Sequence, residues 1–364
     1  MIQGIFLVGT ALTAFLLNLV LTPLIIRLSH RYKWYDRPNK RKIHKGLIPR
    51  LGGIGIFLTV LLIGIGVSFL LPRGQNFFET RYLYLLGGFT LIHLAGLFDD
   101  LKNMRALIKL LMQVAAASIV VAGGFLIDSF TLPYIGRISL GIIAYPITIA
   151  WIVGLTNAIN LVDGMDGLAG GITGFAIFSM GVIAVLQGVP TTALLAMVMF
   201  GSVAGFLVFN FPPAKIFMGD SGSLFLGFSL AVLPLMGISK TAAVGTLIIP
   251  ITLLTIPIID ILSAIIRRIR QGRSIFSADM EHIHHKLLDM GLAERKILLF
   301  IYSFSLYLGI VAVTSVILPK ETNVYLIIIV WIGSLLAYYF LDFLKSKRTN
   351  SSVQKQNKKS SSAS

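Results

Sequence analysis

Apolar residues arrive in blocks of about twenty, separated by short polar stretches, from the first residues to about position 343. A helix of about twenty residues spans the hydrocarbon core of a bilayer, whereas a barrel strand needs only about ten. Inside lipid every backbone N–H and C=O must find a partner within the chain, so uninterrupted blocks of this length become helices. The expected fold is an all-α polytopic membrane protein of about 11 transmembrane helices. They centre on residues 4–28, 51–71, 82–98, 107–126, 142–159, 168–187, 191–211, 221–238, 242–266, 297–318 and 324–343. A mean hydropathy of +0.87 agrees with this. So does a chain of 364 residues with only 13% charged, because a soluble protein of that length would still need a charged surface.

The absence of cysteine excludes disulfides, thiolate zinc sites, iron–sulfur clusters and cysteine nucleophiles. No Lys or Arg precedes Arg27, and the first block is too long for the h-region of a cleavable signal, so none is expected. The net charge of +16 would suggest nucleic acid in a soluble protein, but here its placement decides. Alternation of the spans puts 29–50, 99–106, 160–167, 212–220, 267–296 and the tail from Leu344 on one side. With the flanking Arg27 and Lys109, that side carries 26 Lys and Arg against 5 on the other. Positive charge is retained in the cytoplasm, so the N-terminus is expected outside and the C-terminus inside a cytoplasmic membrane. Residues 1–343 then form one integral-membrane domain, and 344–364 a basic cytoplasmic tail whose Lys, Ser, Asn and Gln read as disordered. Nucleic acid is not an expected partner. No internal repeat is visible.

The unusual polar residues fall on that same side. The run from Asn157 to Gly170 holds Asn160, Asp163, Asp166 and three glycines between two apolar blocks. Acids at a membrane boundary are expensive and read first as functional, with an interfacial turn that only ends a helix as the alternative. Hard oxygens at this spacing suit Mg²⁺ shared with phosphates. Asp99 and Asp100 close the third block, where a helix C-terminus already carries partial negative charge, so a compensating cation is expected. Lys109 follows within reach of phosphate. The alternative there is simple solvation beside Lys102 and Arg105.

In the first basic loop His44, Lys45 and Arg50 stand out, because Pro49 and Gly52-Gly53 stiffen the chain beside them. Residues 209–223 place Gly219, Asp220 and Ser221 at a helix start, either an ordinary cap or a seat for phosphate or phosphate-bound metal. Asn210 closes the preceding span, and Phe217 either stacks on a base or packs on lipid. Pro250 and Pro257 should break the ninth span near Asp260. The last loop carries Arg267, Arg268, Arg270, Arg273 and a cluster of His282, His284 and His285, better suited to phosphate contact or acid–base work than to zinc. His93, isolated in the third span, reads as a histidine bonding between helices. Carboxylates that fix a metal and cations that neutralise a diphosphate are the equipment of phosphoryl transfer.

Four segments, in order and on one side, carry a resemblance. They are Asp99-Asp100 with Lys109, Asn160-Leu-Val-Asp-Gly-Met-Asp-Gly-Leu-Ala169, Asn210 through Phe217-Met-Gly-Asp220, and His282-Ile-His-His285. In these the chain resembles the polyprenyl-phosphate N-acetylhexosamine-1-phosphate transferases of the MraY/WecA type, over residues 1 to 343. The resemblance implies a Mg²⁺-dependent transfer, with Mn²⁺ as a substitute, of a sugar 1-phosphate from a UDP-sugar to a polyprenyl phosphate, releasing UMP on the cytoplasmic face. It implies that Asp220 holds the metal with Asn160, and that Asp99 and Asp100 position or deprotonate the lipid phosphate, with Lys109 on phosphate. Asp163, Asp166, Asn210, Phe217 and Lys45 would line the nucleotide end. Arg273, His282, His284 and His285 would meet the sugar and diphosphate. A homodimer stays open.

Ile48-Pro49-Arg50-Leu51-Gly52-Gly53 replaces the Thr-Pro-Thr-Met-Gly-Gly run of the peptidoglycan enzyme, and His-Ile-His-His replaces its three consecutive histidines. Both departures resemble the branch that takes UDP-N-acetylglucosamine to begin teichoic acid, O-antigen or a related surface glycan. The competing readings are the phospho-N-acetylmuramoyl-pentapeptide transferase and, from another class, a membrane transporter. A transporter would place its acids at the midplane.

Overall fold

The computed structural model describes residues 2–36, 47–69, 79–132, 136–237, 248–272 and 282–361. Among them are thirteen α-helices and two small antiparallel strand pairs, β1 (Tyr35–Asp36) with β2 (Ile48–Pro49) and β3 (Ser129–Leu132) with β4 (Gly136–Ser139). Eight helical segments are long and apolar enough to cross a membrane. Two shorter apolar helices, α2 (Gly52–Ser68) and α4 (Ala106–Ala122), match further expected spans. The remaining expected span is broken. α9 (Ile248–Leu253) gives way at Leu254 to α10 (Thr255–Arg270). Pro257 has no N–H to return to the carbonyl of Leu253, which interrupts the helical ladder there. The chain is thus an all-α, multi-pass membrane protein.

The other helices are α1 (Ile2–Tyr32), α3 (Thr80–Lys102), α5 (Ala144–Val162), α6 (Leu168–Leu186), α7 (Pro190–Asn210) and α8 (Gly219–Val232). They are followed by α11 (Ile283–Asp289), α12 (Glu294–Ile317) and α13 (Lys320–Ser361). α8 is the axis of the bundle. Its apolar stretch is 89% buried against 17% for α1, so α8 touches protein all round while α1 is largely exposed on the outside of the bundle. α2, α3 and α5 pack directly on it. Trp151 on α5 donates to the Ala231 carbonyl at 3.0 Å, and His93 on α3 meets the Ser221 carbonyl at 3.2 Å with its ring stacked on Phe57. His93 is therefore a bond between helices.

Small residues let these helices approach. A Cβ on Gly53 would strike the backbone of Ser221 and Gly222, and one on Gly171 would enter the ring of Tyr302 on α12. Lipid supplies no hydrophobic drive between helices, so such contacts depend on close packing. The last helix does not end at the membrane boundary. α13 continues to Ser361, where disordered chain was expected. Lys, Gln and Ser are tolerable helix residues, and the tail extends an existing helix without nucleating a new one.

Candidate active site

One end of the bundle gathers the polar residues. α3 ends there at Lys102, α4 starts at Ala106, α5 ends at Val162 and α8 starts at Gly219. The centre of the cluster is the ammonium of Lys109. It donates to Asp99 Oδ2 at 3.1 Å, to Asp220 Oδ2, and toward Asn160 Oδ1 at 3.5 Å. Asn160 is oriented from its other end, since its Nδ2 donates to Asp220 Oδ1 at 2.9 Å and to Ser223 Oγ at 2.8 Å. Three hard oxygens from α3, α5 and α8 thus face one cation position. Asp99, Asp220 and Lys109 keep 13%, 20% and 17% of their side-chain surface exposed, so the position opens to solvent or substrate.

Asp100 differs from its neighbour. Its side chain is fully buried, and its carboxylate accepts from Arg50 Nε at 3.1 Å, from the Asp220 N–H at 2.8 Å and from the Ser221 N–H at 2.9 Å. It therefore holds the start of α8, and with it Asp220, from outside the helix. The N–H groups of a first turn have no partner inside their own helix, which is why a carboxylate is welcome there. Gly219 makes this possible. Its φ of +72° suits glycine, and a Cβ would collide with the Arg50 carbonyl and the Asp100 carboxylate. Residues 48–53 are strapped to the same corner by Phe217 N–H to Pro49 O at 2.7 Å, Gly52 N–H to Phe217 O at 3.0 Å and Gly53 N–H to Met218 O at 2.8 Å. Phe217, half-buried, contributes its backbone to this strap. Arg50 is the residue that sequence reasoning undervalued. Its signal was present in the Pro49 and Gly52-Gly53 that frame it.

The turn 163–167 forms one wall. Asp166 Oδ2 accepts from the Ala214 N–H at 2.9 Å, and Asn210 accepts from the Gly167 N–H at 2.9 Å while donating to Ile216 O at 2.8 Å. These two side chains lock the 163–167 and 211–218 loops together. Tyr302 Oη donates to the Gly167 carbonyl at 2.6 Å and ties the same turn to α12. Half-buried Asp163 is pushed up to about 8, first by burial and then by the nearby charges of Asp220 and Asp100. The histidine segment reaches this turn: a Cβ on Gly164 would lie 2.8 Å from Nε2 of His284. His284 is buried, lies against His285 with the rings tilted by 38° and their centroids 4.3 Å apart, and is held down to about 4, by burial first and then by His285 and His282. His282 also lies buried beside it, with the two rings parallel at 6.1 Å. The expected sites Lys45 and Arg273 lie outside the described residues.

The sequence relationships follow this geometry. The model of glycosyl transferase family 4 matches residues 82–238, the stretch from α3 through α8 that contains the lysine-centred cluster. A Bacillus subtilis (strain 168) protein named probable undecaprenyl-phosphate N-acetylglucosaminyl 1-phosphate transferase is 38% identical over 328 residues, 90% of this chain and 87% of that protein. The chain belongs to glycosyl transferase family 4, within the MraY/WecA superfamily on its WecA-like branch. A Mycobacterium leprae (strain TN) family member named decaprenyl-phosphate N-acetylglucosaminephosphotransferase is 36% identical, covering 83% of this chain and 81% of its own. The Escherichia coli (strain K12) undecaprenyl-phosphate alpha-N-acetylglucosaminyl 1-phosphate transferase is 31% identical, covering 72% and 71%. In this family member the acidic and amide residues from Asp99 to Asp220 lie inside the matched stretch, whereas Arg50 and the cluster of His282, His284 and His285 lie outside it.

Proposed function

We propose that the protein transfers N-acetylglucosamine 1-phosphate from UDP-N-acetylglucosamine to undecaprenyl phosphate, giving polyprenyl-diphospho-N-acetylglucosamine and UMP. The observation that carries this reading is the cation position framed by Asp99, Asp220 and Asn160 beside the clasp of buried Asp100 with Arg50. An oxygen of the lipid phosphate attacks the β-phosphorus of the nucleotide sugar. The bond from that phosphorus to the bridging oxygen breaks, and UMP leaves with the electron pair. Phosphoryl transfer of this kind depends on positioning and charge stabilisation, which these residues supply. Lys109 presents a point charge to phosphate, and Asp99 stands beside it where the lipid phosphate would enter. Asp100 and Arg50 hold the first turn of α8 so that Asp220 stays aimed. We place this end of the bundle at the cytoplasmic side of the bacterial membrane, on the strength of the 26 to 5 division of positive charge.

A divalent cation fits the donor set. Among the described residues no three His, Asp or Glu side chains gather as a metal group. Two carboxylates with one amide oxygen nevertheless suit Mg²⁺, which keeps waters and takes its other ligands from substrate phosphates. Asp220, Asn160 and Asp99 would hold it in place of the Lys109 ammonium, and when bound it would neutralise charge developing on the diphosphate.

The test is UMP release by the purified protein with undecaprenyl phosphate, Mg²⁺ and either UDP-N-acetylglucosamine or UDP-N-acetylmuramoyl-pentapeptide. Turnover of the first alone, abolished by EDTA and restored by Mg²⁺, is the expected result. Turnover of the second alone would overturn the sugar assignment, and activity untouched by EDTA would overturn the metal.

A further inference from the structure

A second buried polar cluster lies outside the acidic centre. Asp260, on α10, is 1% exposed, and a carboxylate inside a membrane bundle is costly unless it is used. Its Oδ2 lies 2.7 Å from Nδ1 of His282, and its Oδ1 accepts from the Ile283 N–H at 2.9 Å and from Tyr338 Oη at 3.4 Å. Tyr338, on α13, accepts in turn from the ammonium of Lys286 at 2.9 Å, which also sits 4.2 Å from the centre of its ring. Lys286 and Tyr338 are both buried. One carboxylate therefore joins three helices at the residue where α11 begins. At the next residue, His284 rests on Gly164 of the 163–167 turn.

We infer that Asp260 is a positioning residue for the transferase: it fixes the tautomer of His282 and, through the start of α11, the seat of His284 against the 163–167 turn. The inference rests on the reaction proposed above. A carboxylate accepts and cannot donate, so His282 carries a proton on Nδ1. The substitution Asp260→Asn reverses this. To keep the bond from the Ile283 N–H, the new amide must present its NH₂ to His282, which drives the ring proton to Nε2. The shape of the site survives and the tautomer does not. Orientation by a second group is what makes histidine useful in triads and around metals, and its loss there costs from about 10-fold upward.

The experiment uses the full-length protein in lipid nanodiscs, with Asp260→Asn, His282→Gln, the double variant and Tyr338→Phe. Asp260→Asn and His282→Gln should each lower kcat/KM by about 10- to 100-fold. The double variant should lose no more than His282→Gln alone, since one residue acts through the other. Tyr338→Phe removes the Lys286 acceptor and should lower the thermal midpoint, while the Asp260–His282 bond and the His282 ¹⁵N signature stay as in wild type. Additive losses, or an inert His282→Gln, would overturn the inference. A readout independent of turnover is the ¹⁵N spectrum of histidine-labelled wild-type protein, with His282 assigned by its loss in His282→Gln. An Nδ1-protonated His282 supports the inference even if no UMP is released and the reaction proposed above fails. An Nε2-protonated His282 overturns it, even if Asp260→Asn does not fold.

Discussion

Adjacent aspartates at the end of α3 face different surroundings, and single substitutions should separate them. Asp100 binds Arg50 and two first-turn N–H groups of α8, so Asp100→Ala takes the acceptor from both N–H groups. Leaving a donor without its acceptor costs roughly 1–3 kcal/mol, and a drop in thermal midpoint of several degrees is expected. Asp99 is partly exposed and shares Lys109 with Asp220, so Asp99→Ala should leave the midpoint within a few degrees while UMP release falls below detection. Comparable midpoints for the two variants would contradict this division. His284 supplies a pH signature. Its folded value near 4 lies below the ordinary 6.5, so the unfolded chain takes up a proton between about pH 6.5 and 4 that the folded protein refuses. The associated stability is complete above pH 6.5 and is lost as pH falls through that window, by up to roughly 3 kcal/mol. The midpoint of His284→Gln should therefore decline less steeply than wild type from pH 6.5 to 5. Parallel declines would show that His284 is not the group responsible. The types of the chemical residues were legible in the sequence, because acids and amides at a membrane boundary have few reasons to be there. Which of two neighbouring aspartates is buried was not, since that depends on α8 arriving from 120 residues away.

Between elements, the limiting contacts are glycines. Gly171→Ala would put a methyl into the Tyr302 ring that holds the Gly167 carbonyl, and overpacking of this kind costs about 1–3 kcal/mol. Combining it with Tyr302→Ala should recover much of the lost thermal stability, though not the hydrogen bond to the turn. A double variant no more stable than Gly171→Ala would rule out the steric cause. Gly53→Ala meets backbone of α8 rather than a movable side chain, so it should push α2 off the Asp220 turn and lower UMP release by more than about 100-fold. The break in the ninth span was readable from Pro250 and Pro257, since a missing N–H acts locally. The strap between residues 48–53 and 217–218 was not, because backbone pairing leaves no mark on side-chain type.

For the whole molecule, the cysteine-free chain allows a direct topology test. Thr80 and Lys102 are exposed at opposite ends of α3. Thr80→Cys should react with a membrane-impermeant maleimide in intact cells, and Lys102→Cys only after permeabilisation. The reverse pattern would place the acidic site outside and exclude a cytoplasmic nucleotide sugar. Hydrophobic block length determined that the chain is a helical membrane protein, because lipid leaves the backbone no other solution. Charge asymmetry determined the expected orientation, and the order of four polar segments pointed to the family. Tertiary structure alone decided that Lys109 stands at the centre of Asp99, Asn160 and Asp220, and that Asp166 and Asn210 brace loops. It also decided that Asp260 reaches His282. Block length and charge placement act along the chain and can be read from it. The other arrangements depend on distances between helices, which arise only when small residues let the bundle close.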